Sequence, residues 1–285
     1  MTGKKLGGIL PQKEKGYVSV RVKSQAGNLT TEQMEAVAAA AREYGRGYVG
    51  ATVRLNPEIP WVKREDAGAV AAALEAVGLE TGSTGPTVRS VVACKGTVCR
   101  HGCADTQGLA RTIEAGQGGR PLPRKIKVGI AGCPNNCAKV QFNDIGLMAR
   151  AYPAFDPDAC TGCGACARVC REGAVEVEEE VCTFSPAHCI GCGDCIALCP
   201  KDAIAVRDQG LTLFLGGQAG RRVRAGTRVA GLVPEAEAAA LVERVIDYFA
   251  EHTQEGERLG QMLDRLGQDE VFAALGLAAA APEED

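Results

Sequence analysis

Residues 131–140 read AGCPNNCAKV. Cys133 and Cys137 stand there in C-x3-C spacing, one helical turn apart, and on its own such a pair serves as readily for buried neighbours as for metal ligands. Its surroundings decide the reading. LPRKIKVGIAG (122–132) has the pattern of a strand running into Cys133, and NDIGLMARAY (143–152) looks like another. Upstream, VVACKGTVCRHGCADT (91–106) holds three more cysteines, Cys94, Cys99 and Cys103, with His101 between the last two. Cys94 and one of the other two, joined to Cys133 and Cys137, make four thiolates, enough for a 4Fe-4S cubane.

The whole chain is rich in sulfur: 14 cysteines against 3 histidines in 285 residues. A reducing cytosol discourages disulfides, so metal ligation or redox chemistry is the usual explanation, and soft thiolate shells favour iron–sulfur clusters or zinc. With 46% hydrophobic and 24% charged residues the composition is that of a soluble globular protein. A net charge of −3 leaves no electrostatic footprint for nucleic acid. The apolar runs are too short for membrane insertion, and MTGKKLGGILPQKEKG lacks a signal-peptide core, which points to the cytoplasm.

GYVSVRVKS (16–24) alternates like a strand, TTEQMEAVAAAAREYG (30–45) has the composition and caps of a helix, GYVGATVRL (47–55) reads as a second strand, and REDAGAVAAALEAVG as a second helix. This small α+β unit is assigned to residues 1–85. GLTLFLGG (210–217) resumes a sheet pattern, and helical periodicity returns in PEAEAAALVERVIDYFAEH (234–252) and ERLGQMLDRLG (257–267). Between the sheet-like segments lies a self-similar block, DACTGCGACARVCREGAVEV (158–177) and AHCIGCGDCIALCPKDAIAV (187–206), which superpose without a gap. The expected layout is a discontinuous host domain, 86–154 with 208–270, an insertion at 155–207, and a flexible tail at 271–285.

Each half of the block follows C-x2-C-x2-C-x3-C and resembles a bacterial-type ferredoxin with two 4Fe-4S clusters. In that family the tight run wraps one cubane and the fourth thiolate crosses to the other. The resemblance therefore implies one set of Cys160, Cys163, Cys166 and Cys199, and another of Cys189, Cys192, Cys195 and Cys170. Arg171 departs from the proline usual after the fourth cysteine, and Cys182 is left over. Paired zinc ribbons would leave the third cysteine of each run without a purpose.

The host resembles the siroheme-dependent sulfite and nitrite reductases, whose signature is a C-x5-C pair, a long gap, and C-x3-C within GCPN-x-C. The likeness extends through GYVSVRVKSQAGNLTTEQ, TVRLNPEIP, TVRSVVAC, LPRKIKV, FLGGQAGRR and ERLGQMLDRLG, across nearly all of 15–270. It implies an α+β siroheme fold, a ferredoxin-like half-domain joined to a siroheme and cluster domain, with the two-cluster ferredoxin inserted. It implies siroheme and three 4Fe-4S clusters, Cys137 bridging the host cubane to the siroheme iron. Siroheme carries eight carboxylates and sulfite is an anion, so both need cations. The positions matching the family's basic residues are Arg21, Lys23, Arg54, Arg89, Lys125, Lys127, Arg221 and Arg222; Lys125 and Lys127 would polarise substrate oxygens, and Gly216 and Gly217 would let backbone approach the macrocycle. Aligned on R-x-G-x-x-D-T, Arg100 to Thr106 put Cys99 on the second ligand position, with Cys103 a buried neighbour or replacement ligand and His101 a bystander.

The resemblance implies reduction of sulfite to sulfide by six electrons entering through the insert; nitrite reduction to ammonia and a non-catalytic siroheme-binding or electron carrier are the rivals. No nucleotide fingerprint of the strand, G-x-G-x-x-G, helix type accompanies it, so the donor would be an external ferredoxin or reductase subunit. Lys127 precedes Cys133 by six residues, about 20 Å in an extended strand. That spacing suggests a homodimer in which each site draws its lysines from the partner.

Overall fold

The computed structural model describes residues 7–178 and 180–280. The first sheet is antiparallel, with strands β1 (Ile9–Pro11), β2 (Tyr17–Arg21), β3 (Gly50–Ala51) and β4 (Pro57–Lys63) in the order β1-β2-β4-β3. Helices α1 (Thr31–Tyr44) and α2 (Ala67–Glu75) cover it, burying Val37, Ala40, Val70 and Leu74 against Val18, Val20, Ile59 and Val62. Helix α1 starts at a capping box: the Thr30 hydroxyl accepts from the Gln33 N–H, and the Gln33 side chain accepts from the Thr30 N–H. The strand expected at 47–55 shrinks to Gly50–Ala51, and the long strand is PEIPWVK instead. Its prolines hide it, yet Pro60 is harmless. Val18 pairs with Val62 and Val20 with Ile59, so Pro60 and Trp61 form a bulge, with Trp61 at φ +64, where the ladder asks nothing of a missing N–H.

The second sheet begins with β5 (Val92–Ala93), followed by α3 (Thr106–Gln117), a helix not anticipated from the sequence. Strands β6 (Val128–Ala131) and β7 (Ile145–Phe155) pair in parallel beside β5. From the end of β7 the chain enters the cysteine-rich block, with α4 (Ala165–Val169), the hairpin β8 (Val175–Glu178) and β9 (Val181–Phe184), and α5 (Asp194–Leu198). It returns as β10 (Ile204–Leu215), antiparallel to β7 from Ile204 opposite Phe155 to Leu215 opposite Ile145. The block thus grows from the tip of one long two-stranded ladder. Strand β11 (Thr227–Arg228) completes the order β11-β10-β7-β6-β5.

Helices α6 (Glu235–His252), α7 (Leu259–Leu266) and α8 (Gln268–Ala274) pack with α3 on this sheet, burying Leu241, Val245, Phe249, Met262 and Leu263 against Ile130, Leu147 and Leu213. The tail expected from residue 271 is corrected here. Val271 and Phe272 are buried in this core and Ala279 bridges to Val229; burial of two large side chains fixes the segment. Residues 1–6 and 281–285, parts of the expected first domain and tail, lie outside the described residues. No helix among the described residues is long and apolar enough to cross a membrane.

Candidate active site

Strands β5 and β6 end side by side, and the loops leaving them carry the host cysteines. Cys94 N–H donates to Ile130 O at 3.0 Å, and Gly132 N–H donates to Cys94 Sγ at 3.1 Å. The two loops touch through glycine: a Cβ on Gly132 would stand 2.8 Å from the Gly96 Cα, so neither position accommodates a side chain without displacing the other. Asn136 and Lys139 adopt left-handed φ of 49° and 47°, and Asn136 Oδ1 accepts from the Val140 N–H at 2.9 Å. These turns bring Cys137 back beside Cys133.

In front of the loops lies a cavity of 820 Å³. Cys94, Cys99, Cys133 and Cys137 all line it; Cys103 does not. Arg54, Lys95, Lys127 and Lys139 complete its charged lining, and among the described residues no aspartate or glutamate belongs to it. A chain of net charge −3 therefore concentrates cations on one concave surface, the arrangement that raises the local concentration of anions. Burial, then Arg54 and Arg258, lower the Lys127 ammonium to about 8. Burial likewise lowers Arg54, to about 10. Arg54 donates to Asn143 Oδ1 at 3.0 Å and to Ser90 O and Val128 O, while its buried Nε has no partner among the described residues. The cationic lining suits a polyanionic tetrapyrrole, and the four cysteines are the donor set that a cubane takes.

Asp144 anchors the strand that presents Lys127. Its buried carboxylate accepts two bonds of 2.7 Å from Arg258 Nη2 and another of 2.9 Å from the Lys127 backbone N–H. Burial pushes the Asp144 carboxyl up, opposed by Arg258.

Several expected positions lie elsewhere. Arg21 is paired with Glu58 and Lys23 with Glu80, each at 2.7 Å, and Arg89 spends its guanidinium on Ser83 O and Gly85 O, so neither pair nor fork is free toward the cavity. Lys125 is outside the lining, and its ammonium is lowered by burial and then by Arg258 and Arg89. Gly216 and Gly217 are required by the protein itself: a Cβ would meet Leu263 Cδ1 at 2.8 Å and Gln141 O at 2.1 Å respectively. Arg221 and Arg222 are exposed on a loop that reaches the cavity only through Ala219. The argument for a composite dimer site also loses its premise. Lys127 and Cys133 line one cavity of one chain, because the chain is extended only to Ala131 and then turns.

The insert holds two smaller cavities. Cys160, Cys163, Cys166, Cys199 and the extra Cys182 line one; Cys170, Cys189, Cys192 and Cys195 line the other. The fourth cysteine of each run thus sits with the other run's first three. The second cavity abuts the host: Ala151 N–H donates to Gly191 O at 2.9 Å, Arg150 to Ile190 O, and His101 Nδ1 meets Asp194 Oδ1 at 2.7 Å.

Residues 84–282 match the model of the family described as nitrite and sulphite reductase 4Fe-4S domain, and residues 10–77 match that of the nitrite/sulfite reductase ferredoxin-like half domain. The chain belongs to this family. It is 36% identical over 264 residues to a coenzyme F420-dependent sulfite reductase of Methanocaldococcus jannaschii, covering 91% of this chain and 42% of that protein. An uncharacterized protein of the same organism is 32% identical over 237 residues, 83% of this chain and 84% of its own length. Among solved structures, dissimilatory sulfite reductase I superposes with a TM-score of 0.76 at 19% identity, over 94% of this chain and 71% of that one. The α+β fold expected from the sequence is the fold of this reductase family.

Lys95, Lys139, Asn135 and the Asp144–Arg258 pair escape a sequence reading of this reductase-family chain. Lys95 and Lys139 lie one and two residues from a cysteine, which is the only local signal they carry. Burial pushes Cys103 up to about 12 and raises Cys133 and Cys192 too, so thiol acidity does not separate the groups; position does.

Proposed function

We propose that this chain is the catalytic module of a sulfite reductase that converts sulfite to sulfide, six electrons and six protons turning three S–O oxygens into water. The observation that carries the reading is the one cavity in which four cysteines meet four cations and, among the described residues, no carboxylate. Cys94, Cys99, Cys133 and Cys137 would hold a 4Fe-4S cluster and Cys137 siroheme as well, with Lys95 and Lys139 answering the macrocycle's carboxylates and Arg54 adding positive charge to the wall. When bound, siroheme and its coupled cubane supply the redox-active iron.

Lys127 is the substrate residue. With its ammonium near 8 it is charged at neutral pH, pairs with a sulfite oxygen, and is acidic enough to hand over its proton as that oxygen departs as water. Asp144 keeps it in register through the Lys127 backbone N–H. Arg258 and Arg54, set close by, favour loss of that proton and binding of the anion alike. The insert, residues 155–207, would hold two further 4Fe-4S clusters and take electrons from an external ferredoxin or reductase subunit.

Anaerobically purified protein tests the reading by its absorption spectrum with iron and sulfide counts. Three cubanes and one haem iron require about thirteen irons per chain together with tetrapyrrole bands, and about eight irons without bands would leave only a polyferredoxin. Steady-state turnover with a low-potential artificial donor should favour sulfite; preference for nitrite would reassign the substrate.

A further inference from the structure

Cys103 is left over from the four-thiolate site, yet it stands at the seam between host and insert. Its thiol donates to the Cys192 carbonyl oxygen at 3.3 Å, the other acceptor within reach, His101 O, being at 3.7 Å. Its backbone N–H donates to Gly132 O at 2.7 Å, and Gly132 N–H donates to Cys94 Sγ at 3.1 Å. Gln209 Nε2 holds the Cys103 carbonyl at 2.6 Å. An unbroken run of covalent and hydrogen bonds therefore leads from Cys192, on the inner insert cavity, to Cys94, on the host cavity. The His101–Asp194 pair spans the same seam as a brace, His101 lining one cavity and Asp194 the other.

We propose that Cys103 is the bridging residue through which the inner cluster site of the insert is electronically coupled to the cluster site of the host. Electron tunnelling weakens much faster across a gap than along bonded contacts, and the Cys103 thiol closes the gap that would otherwise lie between the Cys192 carbonyl and the host loop. One electron leaves the inner insert site, which is oxidised by one, and arrives at the host site, which is reduced by one. No bond forms or breaks, and the thiol keeps its proton. A residue chosen only to fill space would need no donor at this point; a thiol supplies one and stays small enough to pack against Gly193, whose added Cβ would stand 3.4 Å from Sγ. The assignment rests on the reading of the cavities given under Proposed function.

The test compares Cys103→Ala and Cys103→Ser in the full chain, reading iron content and the rate at which the host chromophore is reduced after rapid mixing with reductant. Both variants should retain about thirteen irons, with Cys103→Ala slowing host reduction about tenfold while the insert reduces at the normal rate, and Cys103→Ser restoring most of the loss. Should Cys103→Ala purify poorly, Cys103→Val keeps the volume, removes the donor and reads the same contrast. Loss of about four irons would make Cys103 a ligand and overturn the bridge, as would a normal host reduction rate in an iron-replete variant. An unsubstituted protein with about eight irons and no tetrapyrrole bands would instead overturn the reading of the host cavity on which the bridge rests.

Discussion

The host cavity and the two insert cavities are each lined by four or five cysteines, and they differ in nearly everything else. The host cavity, at 820 Å³, is far larger than either insert cavity. The host wall carries four cations, whereas among the described residues the only charged groups lining the insert cavities are Lys201, Glu172 and Asp194. Thiolates alone select the kind of cofactor. Room and charge around them decide whether anything else can bind, and in this chain only the host has both.

The sharpest way to break this contrast is to remove one thiolate from each side. Cys133→Ser should abolish tetrapyrrole bands and sulfite turnover while leaving about eight irons, because Cys133 lines neither insert cavity. Cys189→Ser should keep the host spectrum and lose about four irons. If Cys189→Ser removes the tetrapyrrole bands as well, the two regions are not independent. Next in size is the ion pair beneath the host cavity. Asp144 and Arg258 side chains are 1% and 8% exposed, and Asp144→Asn strips the guanidinium of its partner in a place where water cannot replace it. A loss of about 3–5 kcal/mol in chemical denaturation is expected; a loss within error would mean that solvent reaches the pair.

Lys127 tests charge as opposed to room. Lys127→Ala should raise the KM for sulfite or lower kcat by about tenfold to a hundredfold, the worth of one charge-assisted hydrogen bond, with iron and tetrapyrrole content unchanged. The same residue sets a pH dependence. A base whose pKa is lowered to about 8 carries its positive charge below that pH, so sulfite affinity should fall as pH rises through about 8. Lys127→Arg should move that limb upward. Comparing the two proteins cancels the ionisation of sulfite itself, and an identical profile in both would remove Lys127 from substrate binding.

Much of this contrast is written locally. The C-x2-C-x2-C runs and the C-x3-C pair are short-range patterns, helix α1 follows from its caps and composition, and α6 from its apolar periodicity, so each needs no knowledge of the rest of the chain. The strand Pro57–Lys63 was hidden because its prolines are tolerated only through a bulge opposite Val18 and Val20. Basic residues were the least legible. Whether Arg21 faces an anionic cofactor or Glu58 depends on a residue 37 positions away, and Lys95 and Lys139 reach the cavity through loop geometry that no periodicity announces. Gly216 and Gly217 look the same in sequence whether they make way for a ligand or for Leu263 and Gln141; only the packed neighbours distinguish the two.

The smallest effect is expected at Cys182, the fifth cysteine of the first insert cavity, whose Sγ lies 4.0 Å from Cys166 Sγ. Proximity alone would make it a candidate ligand. Its backbone, however, is committed to the β8–β9 hairpin, where it pairs with Val177, while Cys160 and Cys163 come from a loop and Cys166 from the start of a short helix. The same cavity already holds a full C-x2-C-x2-C run with Cys199, four thiols without it. Cys182→Ala should therefore leave the iron count at about thirteen and disturb only the electron paramagnetic resonance signal of one insert cluster, whereas Cys166→Ser should lose about four irons. If Cys182→Ala loses iron as Cys166→Ser does, the hairpin is part of the ligand shell, and the crossing of Cys199 into this cavity must be re-examined.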